Sequence, residues 1–418
     1  MKIEEQNDIA GKYDVMVCGG GPAGVAAAIA AARKGAKTCL LEVNGCLGGI
    51  WTSGMMPWVI DHQNKDGIMK EFREELLEMR AANSPSKNGS LACNIEMLKS
   101  YLEQKCVQAG VDVLLHCRVV AAHVEERQIK YVITESKSGR EVWVASMFID
   151  TTGDGDLAAF SGCEYDFANP ENGLTQPMSM IGLLSGVKLD EIEDVVNGYS
   201  KKTWNESKEI LRQEILQGGV DPSYGFPTIF YLAEGLFVMM ANHQYKVSAL
   251  NCADVSRATI EGRKEVNDIV KALRSLGGRW KHLQLAGTSE QIGTREGRRI
   301  KGLYELKIDD LLDGARFDDA VCECTFGIDV HSTDPDKNKG IMSAESFKTK
   351  PYQIPIRSLI SKDIDNLMMA GRCISGDFLA HSSYRVTGDA VPMGEAAGIV
   401  SAEAAKTNKL PASFIKKN

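Results

Sequence analysis

The chain has 418 residues, 44% of them hydrophobic and 25% charged, a length too great for one simple core and suited to two packed domains. Its formal net charge is −8 with Lys and Arg dispersed, which argues against a nucleic-acid partner. No run approaches the roughly 18 apolar residues of a spanning helix, so no membrane insertion is expected.

The N-terminal "MKIEEQNDIAGKYD" is polar and lacks an apolar leader core, so a cytoplasmic location is expected. From Tyr13, "YDVMVCGGG" reads as a buried strand ending in glycines. "PAGVAAAIAAARKG" follows as a helix with Pro22 in its first turn and Gly35 at its end. "AKTCLLE" is a second strand, and a β-α-β crossover of this kind implies parallel strands. Amphipathic spacing predicts a helix over 64–82, a polar loop over 83–89 and a further helix over 94–109. "GVDVLLHCRVVAAHVEE" reads as one strand, and "QIKYVITES" and "REVWVASMFID" as an antiparallel pair turning at Ser138-Gly139. The character changes over 163–330, with short strands and a long helix over 254–276 ended by Gly277-Gly278. A polar loop over 334–350 precedes the apolar strand of "NLMMAGRCISGD" and a small-residue helix, "AVPMGEAAGIVSAEAAK".

The expected fold class is α/β. A Rossmann-like domain, with a parallel sheet and a small antiparallel β insertion, occupies 12–162 and 350–410. A second, mixed α+β substrate domain is inserted over 163–330.

The chemistry starts at Gly19-x-Gly21-x-x-Gly24, set between a strand and a helix. Gly19 permits the tight turn, Gly21 lets backbone approach a pyrophosphate, and Gly24 lets helix and strand pack closely. The helix start then offers free N–H groups and a positive dipole end. Pro22 and Ala23 fall in that first turn, and Glu42 closes the next strand, where it can accept hydrogen bonds from ribose hydroxyls. A second glycine pair follows in "NGCLGGIWTSGM". A nicotinamide dinucleotide needs no such loop there, whereas the flavin half of FAD needs backbone close by.

This arrangement resembles the glutathione-reductase-like and succinate-dehydrogenase-like FAD proteins and, more broadly, the bacterial FAD-dependent oxidoreductase family. The resemblance rests on "GGGPAGVAAAIAAARKGAKTCLLE…LGG", "DTTGDGDLAA", "GTREGRRIKG" and "IPIRSLISKDIDNLMMAGRCISGD…RVTGDAVPMGEAAG", about half the chain. It implies FAD as cofactor, with Gly48 and Gly49 near the flavin half and Val119, Gly153 and Asp154 along the adenine end. It further implies Asp377 on the ribitol chain, and a helix starting near Pro392, Met393 and Gly394 whose N-terminus faces the flavin. A dehydrogenase is expected, passing a hydride from a small organic substrate to flavin N5 and then to an unidentified electron acceptor. An NAD(P)H-fed reductase and a non-catalytic flavin-binding protein stay open as alternatives.

No Cys pair follows the LGG loop, which disfavours disulfide chemistry. Cys322 and Cys324 form a lone CxC, read as two thiols on one face of a strand, and no metal is expected. Flavin dehydrogenases often need a base, and His381, between Asp377 and the flavin-facing helix, is the first candidate. Arg385, four residues on, is a candidate for an anionic group. His331 in "GIDVHST" is the second base candidate, and Arg295, with Arg298 and Arg299 nearby, is a candidate for a substrate carboxylate.

Overall fold

The structure is a computed structural model and describes residues 9–84, 90–199, 202–336 and 347–415. The expected loops over 83–89 and 334–350 lie in part outside these residues. Strand β1 (Ile9–Cys18) enters helix α1 (Pro22–Arg33), and β2 (Thr38–Leu41) returns parallel to β1 with Val15 opposite Thr38. Val15 to Cys18 and Thr38 to Leu41 are all buried, as central parallel strands covered on both faces must be.

Helix α2 (Gly67–Glu78) is shorter than expected, because Gly67 at φ +61° and Arg80 at φ +55° bracket it with left-handed backbone. Helix α3 (Ile95–Ala109) starts where the Asn94 side chain accepts from the N–H groups of Glu96 and Met97. The single strand expected after it is two, β3 (Asp112–Leu114) and β4 (Arg118–Glu125), divided at His116 with φ +54°. β3 lies parallel beside β2, while β4 pairs antiparallel with β5 (Gln128–Ser136).

Strand β6 (Gly139–Asp150) joins these parts. Along one edge it runs parallel to β1. On the other edge its first half pairs antiparallel with β5, and its last three residues pair parallel with a strand from late in the chain. The resulting seven-stranded sheet has the order β3-β2-β1-β6-β5-β4, with the late strand beside β6.

A second, antiparallel sheet is formed by β7 (Ile181–Ser185), β8 (Thr228–Ala233), β9 (Leu236–Met240) and, beyond the helices, a strand at Gln284–Thr288. Its core takes in residues from Met178 to Ile292 and includes helix faces from Trp204–Gln217 and Cys252–Ser275. The first of these helices was not expected. Its start is a capping box, in which Thr203 accepts from the Glu206 N–H and the Glu206 carboxylate reaches back. Ile300, Leu306 and Leu311 already pack in the first core, so the chain rejoins that core near 300, well before the expected 350.

After 300 the chain forms an antiparallel pair, Ala320–Cys324 with Tyr352–Pro355, and then the late strand Leu367–Met369 that completes the first sheet. A short helix, Phe378–Tyr384, precedes the long helix Thr387–Thr407. This last helix begins at Thr387 rather than near Pro392, which sits inside it. A Cβ on Gly394 or Gly398 would meet the backbone of Ala23 or Ala27, so these glycines let the helix touch α1 backbone to backbone. Among the described residues no helix is long and apolar enough to cross a membrane.

Candidate cofactor and substrate site

A cavity of about 740 Å³ runs from the turn after β1 to the second sheet. That volume lies within the usual range for ligand pockets.

Its first end is backbone. Gly19, at φ +107°, lies so close to the Thr151 carbonyl that a Cβ would collide with it. Gly24 packs on the Gly19 carbonyl and does not reach the cavity. Gly21, Pro22 and Ala23 line it. A Cβ on Gly21 would meet no protein atom within 4 Å, so that position is open space at the cavity wall. Gly21 is also the N-cap of α1 and supplies no side-chain cap, which leaves first-turn N–H groups unsatisfied. Gly49 lines the cavity, whereas Gly48, at φ +106°, donates its N–H to the Gly20 carbonyl behind it at 2.8 Å. Glu42 ends β2 with its side chain buried. It accepts from Gly20 N–H at 2.5 Å, from Asn44 N–H at 2.7 Å and from Asn44 Nδ2 at 2.8 Å. A carboxylate offers about four acceptor positions, so capacity for one further donor remains. Burial raises the Glu42 pKa against these hydrogen bonds.

In the middle, Val119 and Gly153 line the cavity. Asp154 does not. It holds Arg372, whose Nη2 is 3.1 Å from its Oδ1. Arg372 stands three residues past the end of the late strand, lines the cavity, and keeps a buried Nη1 with no hydrogen-bond partner. Asp377 caps the short helix instead, accepting from Ala380 N–H at 2.7 Å, and it also accepts from Ile308 N–H at 2.8 Å. It does not line the cavity, so its placement on a ribitol chain is corrected. Met393 and Gly394 are likewise corrected to helix-packing positions, because Val386 and Thr387 form the helix end that lines the cavity.

The far end is side chains. Arg295 lines the cavity; its Nη1 donates to the Pro177 carbonyl at 2.5 Å and to Ser179 Oγ at 3.0 Å. Burial, helped by the like charge of Arg385, lowers its pKa to about 10, which still leaves it charged at neutral pH. Arg298 and Arg299 point elsewhere, to Asp156 and to Glu296, so the three arginines do not form one cluster. Arg385 donates to the carbonyls of Arg295 at 3.3 Å and Asp329 at 2.7 Å, fixing both segments.

His331 lines the cavity, with Nε2 3.4 Å from Asp329 Oδ2 and a buried Nδ1 that has no hydrogen-bond partner. Burial, with Arg295 nearby, lowers its pKa to about 4, so the ring is neutral at pH 7. For Asp329 burial works the other way, but His331, Arg385 and Arg295 outweigh it and hold the carboxyl below its usual range. Tyr224 stacks near His243 with ring centroids 4.0 Å apart and lies 5.8 Å from the His331 ring. Lys208 lines the same end, its pKa lowered by burial.

His381 is fully buried in the short helix, has neither ring nitrogen hydrogen-bonded, and does not line the cavity. The expectation that it reaches a substrate is corrected, since the helix turns it into the core against Tyr384. Asp329, Tyr224, Lys208 and Arg372 were missed. Asp329 stands two residues before His331 in an extended segment, the spacing that puts both on one side. Arg372 sits at the carboxyl end of a parallel strand, where α/β sheets bind ligands. Tyr224 and Lys208 carry no local signal.

The family model described as FAD dependent oxidoreductase matches residues 14–415. Among solved structures, a geranylgeranyl bacteriochlorophyll reductase-like protein from Thermoplasma acidophilum is 14% identical, covering 95% of this chain and 79% of its own, with a TM-score of 0.50. The flavin-dependent brominase Bmp2 is 12% identical over the same shares of the two chains, also with a TM-score of 0.50. At such identities these two speak for the fold alone. No curated protein matches the chain by sequence.

Proposed function

We propose, on the premise that this chain belongs to the FAD dependent oxidoreductase family, that it is a dehydrogenase oxidising a small anionic organic substrate by loss of a hydride. FAD is the family's cofactor, and the residues present fit it. The uncapped α1 N-terminus and the open space at Gly21 suit a pyrophosphate. The spare acceptor capacity of Glu42 suits a ribose, and the unpartnered Nη1 of Arg372 suits a further anionic or carbonyl oxygen. When bound, FAD supplies a two-electron acceptor.

Within the family, the succinate-dehydrogenase-like and glutathione-reductase-like arrangement is our reading, supported by the parallel β3-β2-β1-β6 order around the glycine turn. The observation that carries the reaction is the continuity of one cavity from that turn to the Arg295, Asp329 and His331 group. Arg295 and Lys208 attract the substrate's negative charge. His331 accepts a proton at Nδ1, and Asp329 holds the ring by its Nε2 side. An anion bound beside His331 would raise the pKa of its ring and improve it as a base. Arg385 is a positioning residue, because its hydrogen bonds tie the Arg295 and Asp329 backbones together. The electron acceptor that restores the oxidised state is a separate partner.

An anaerobic screen of small organic acids, read by loss of flavin absorbance, tests this. Bleaching by an organic acid supports it. Prompt bleaching by NADPH alone overturns it in favour of a reductase, and a flavin that neither reduces leaves a binding protein.

A further inference from the structure

Strand Ala320–Cys324 and the first turn of helix Thr387–Thr407 bring three donor groups together. The thiols of Cys322 and Cys324 and the Asp389 carboxylate all lie within 4.8 Å of one another. The CxC spacing holds only two donors, and the fold adds the third. Asp389 is fully buried; its Oδ1 is ion-paired with Lys65, and its Oδ2 has no hydrogen-bond partner. Its cationic neighbour is Lys65, whose Nζ is 2.9 Å from Asp389 Oδ1 and 3.2 Å from Asp61 Oδ2. That ammonium already serves Asn64 Oδ1 at 2.6 Å and the Glu323 carbonyl at 2.5 Å. Asp61 is likewise engaged, accepting from Thr325 and Phe326. Asp389 is therefore the underused member: a buried carboxylate facing two thiols.

We propose that Cys322, Cys324 and Asp389 bind a single thiophilic divalent cation of the zinc class. Two sulfurs and one oxygen on one side are a donor set this class accepts, with a fourth position left for water. Cys322 is only half-buried and gives the ion an entry. Beyond the strand the chain runs through Thr325 to Phe326 and Gly327, which line the cavity, and the helix start supplies Val386 and Thr387 to the same wall. The ion ties these two borders of the cavity to each other.

The test is zinc retention by the full-length, flavin-loaded protein after dialysis against a weak chelator. One Zn²⁺ per chain is expected, with acidification of a weakly buffered solution on binding. Cys322→Ser should weaken retention at least about tenfold, whereas Cys252→Ser, at an exposed thiol, should not. Asp389→Asn should act like Cys322→Ser, and unchanged flavin content in each variant certifies folding. Three results would overturn the proposal: no retention by the unmodified protein, equal retention after Cys322→Ser, or a Cys322–Cys324 disulfide in freshly isolated reduced-buffer protein.

Discussion

At one end of the cavity much of the wall is main chain: Gly19, Gly21, Gly49 and Gly153 line it, and at Gly21 a Cβ would stand in open space. At the other end it is side chains, with Arg295, Asp329, His331, Tyr224 and Lys208 arriving from separate segments on and around the second sheet. The first end is made by short glycine-bearing turns after β1, β2 and β6 that bring backbone to the cavity, which suits what every dinucleotide shares. The second is made by long-range packing that buries charge, and on the function proposed above it is where one substrate would be told from another. Cofactor retention and turnover should therefore respond to different substitutions.

Gly21→Val should have the largest effect. Its side chain would stand in open space at the cavity wall, so the fold should survive while flavin is lost almost entirely. Flavin released by heat and measured by absorbance checks this, and normal occupancy would break the assignment of that end. His331→Ala should slow reduction of a fully flavin-loaded protein by about 10²–10⁴-fold, the usual worth of a general base. The paired change His381→Leu should leave that rate unchanged, because the ring neither reaches the cavity nor makes hydrogen bonds. Anaerobic stopped-flow with a substrate found in the screen measures both, and the opposite ranking would return the base to His381. Glu42→Ala should weaken FAD binding by about 1.5–3 kcal/mol, one lost charge-assisted hydrogen bond, with the reductive rate of the loaded fraction intact. A titration of stripped protein with FAD reads the difference.

Acidity gives the smallest and most graded test. In the folded protein burial holds the His331 pKa at about 4, against about 6.5 in an unfolded chain. Between these values the unfolded chain binds more protons, so stability rises with pH across the window and is lost as pH falls through it. Burial shifts His243 and His381 in the same direction. Melting temperatures from pH 4.5 to 7.5 should fall on the acid side, and His331→Asn should flatten part of that slope. An unchanged slope would mean that His331 is not held neutral.

How far the sequence could be read follows the same division. The β1-α1-β2 unit was legible because it is a local pattern with one physical explanation, and Glu42 and Gly49 line the cavity beside it. Helix starts at Asn94 and Thr203 both carry local capping signals, but the second stands behind a polar "SKK" run that reads as loop. The break at His116 was not legible, since a left-handed histidine leaves no mark in an otherwise apolar run. "SGD" drew attention to Asp377, yet the strand ends at Met369 and it is Arg372 that stands at its mouth. His381 was misjudged because nearness along the chain says nothing about which side of a short helix faces a ligand. Tyr224 and Lys208 reach the cavity through the packing of a second core, and no periodicity encodes that.

Strand β6 has a consequence for how the molecule is made. Its final residues wait for Leu367–Met369, and the neighbouring Ile129 N–H waits for the Asn366 side chain, 237 positions later. A chain emerging from the ribosome must therefore carry an open sheet edge through the synthesis of the whole second unit. Such edges invite pairing with other chains, and contacts this distant in sequence form slowly. The wall bearing Gly371 and Arg372 does not exist until then, so the nascent protein cannot complete its FAD site early. FAD present during synthesis would act as a late folding ligand, stabilising the closed sheet by mass action at the point where misassembly is most costly.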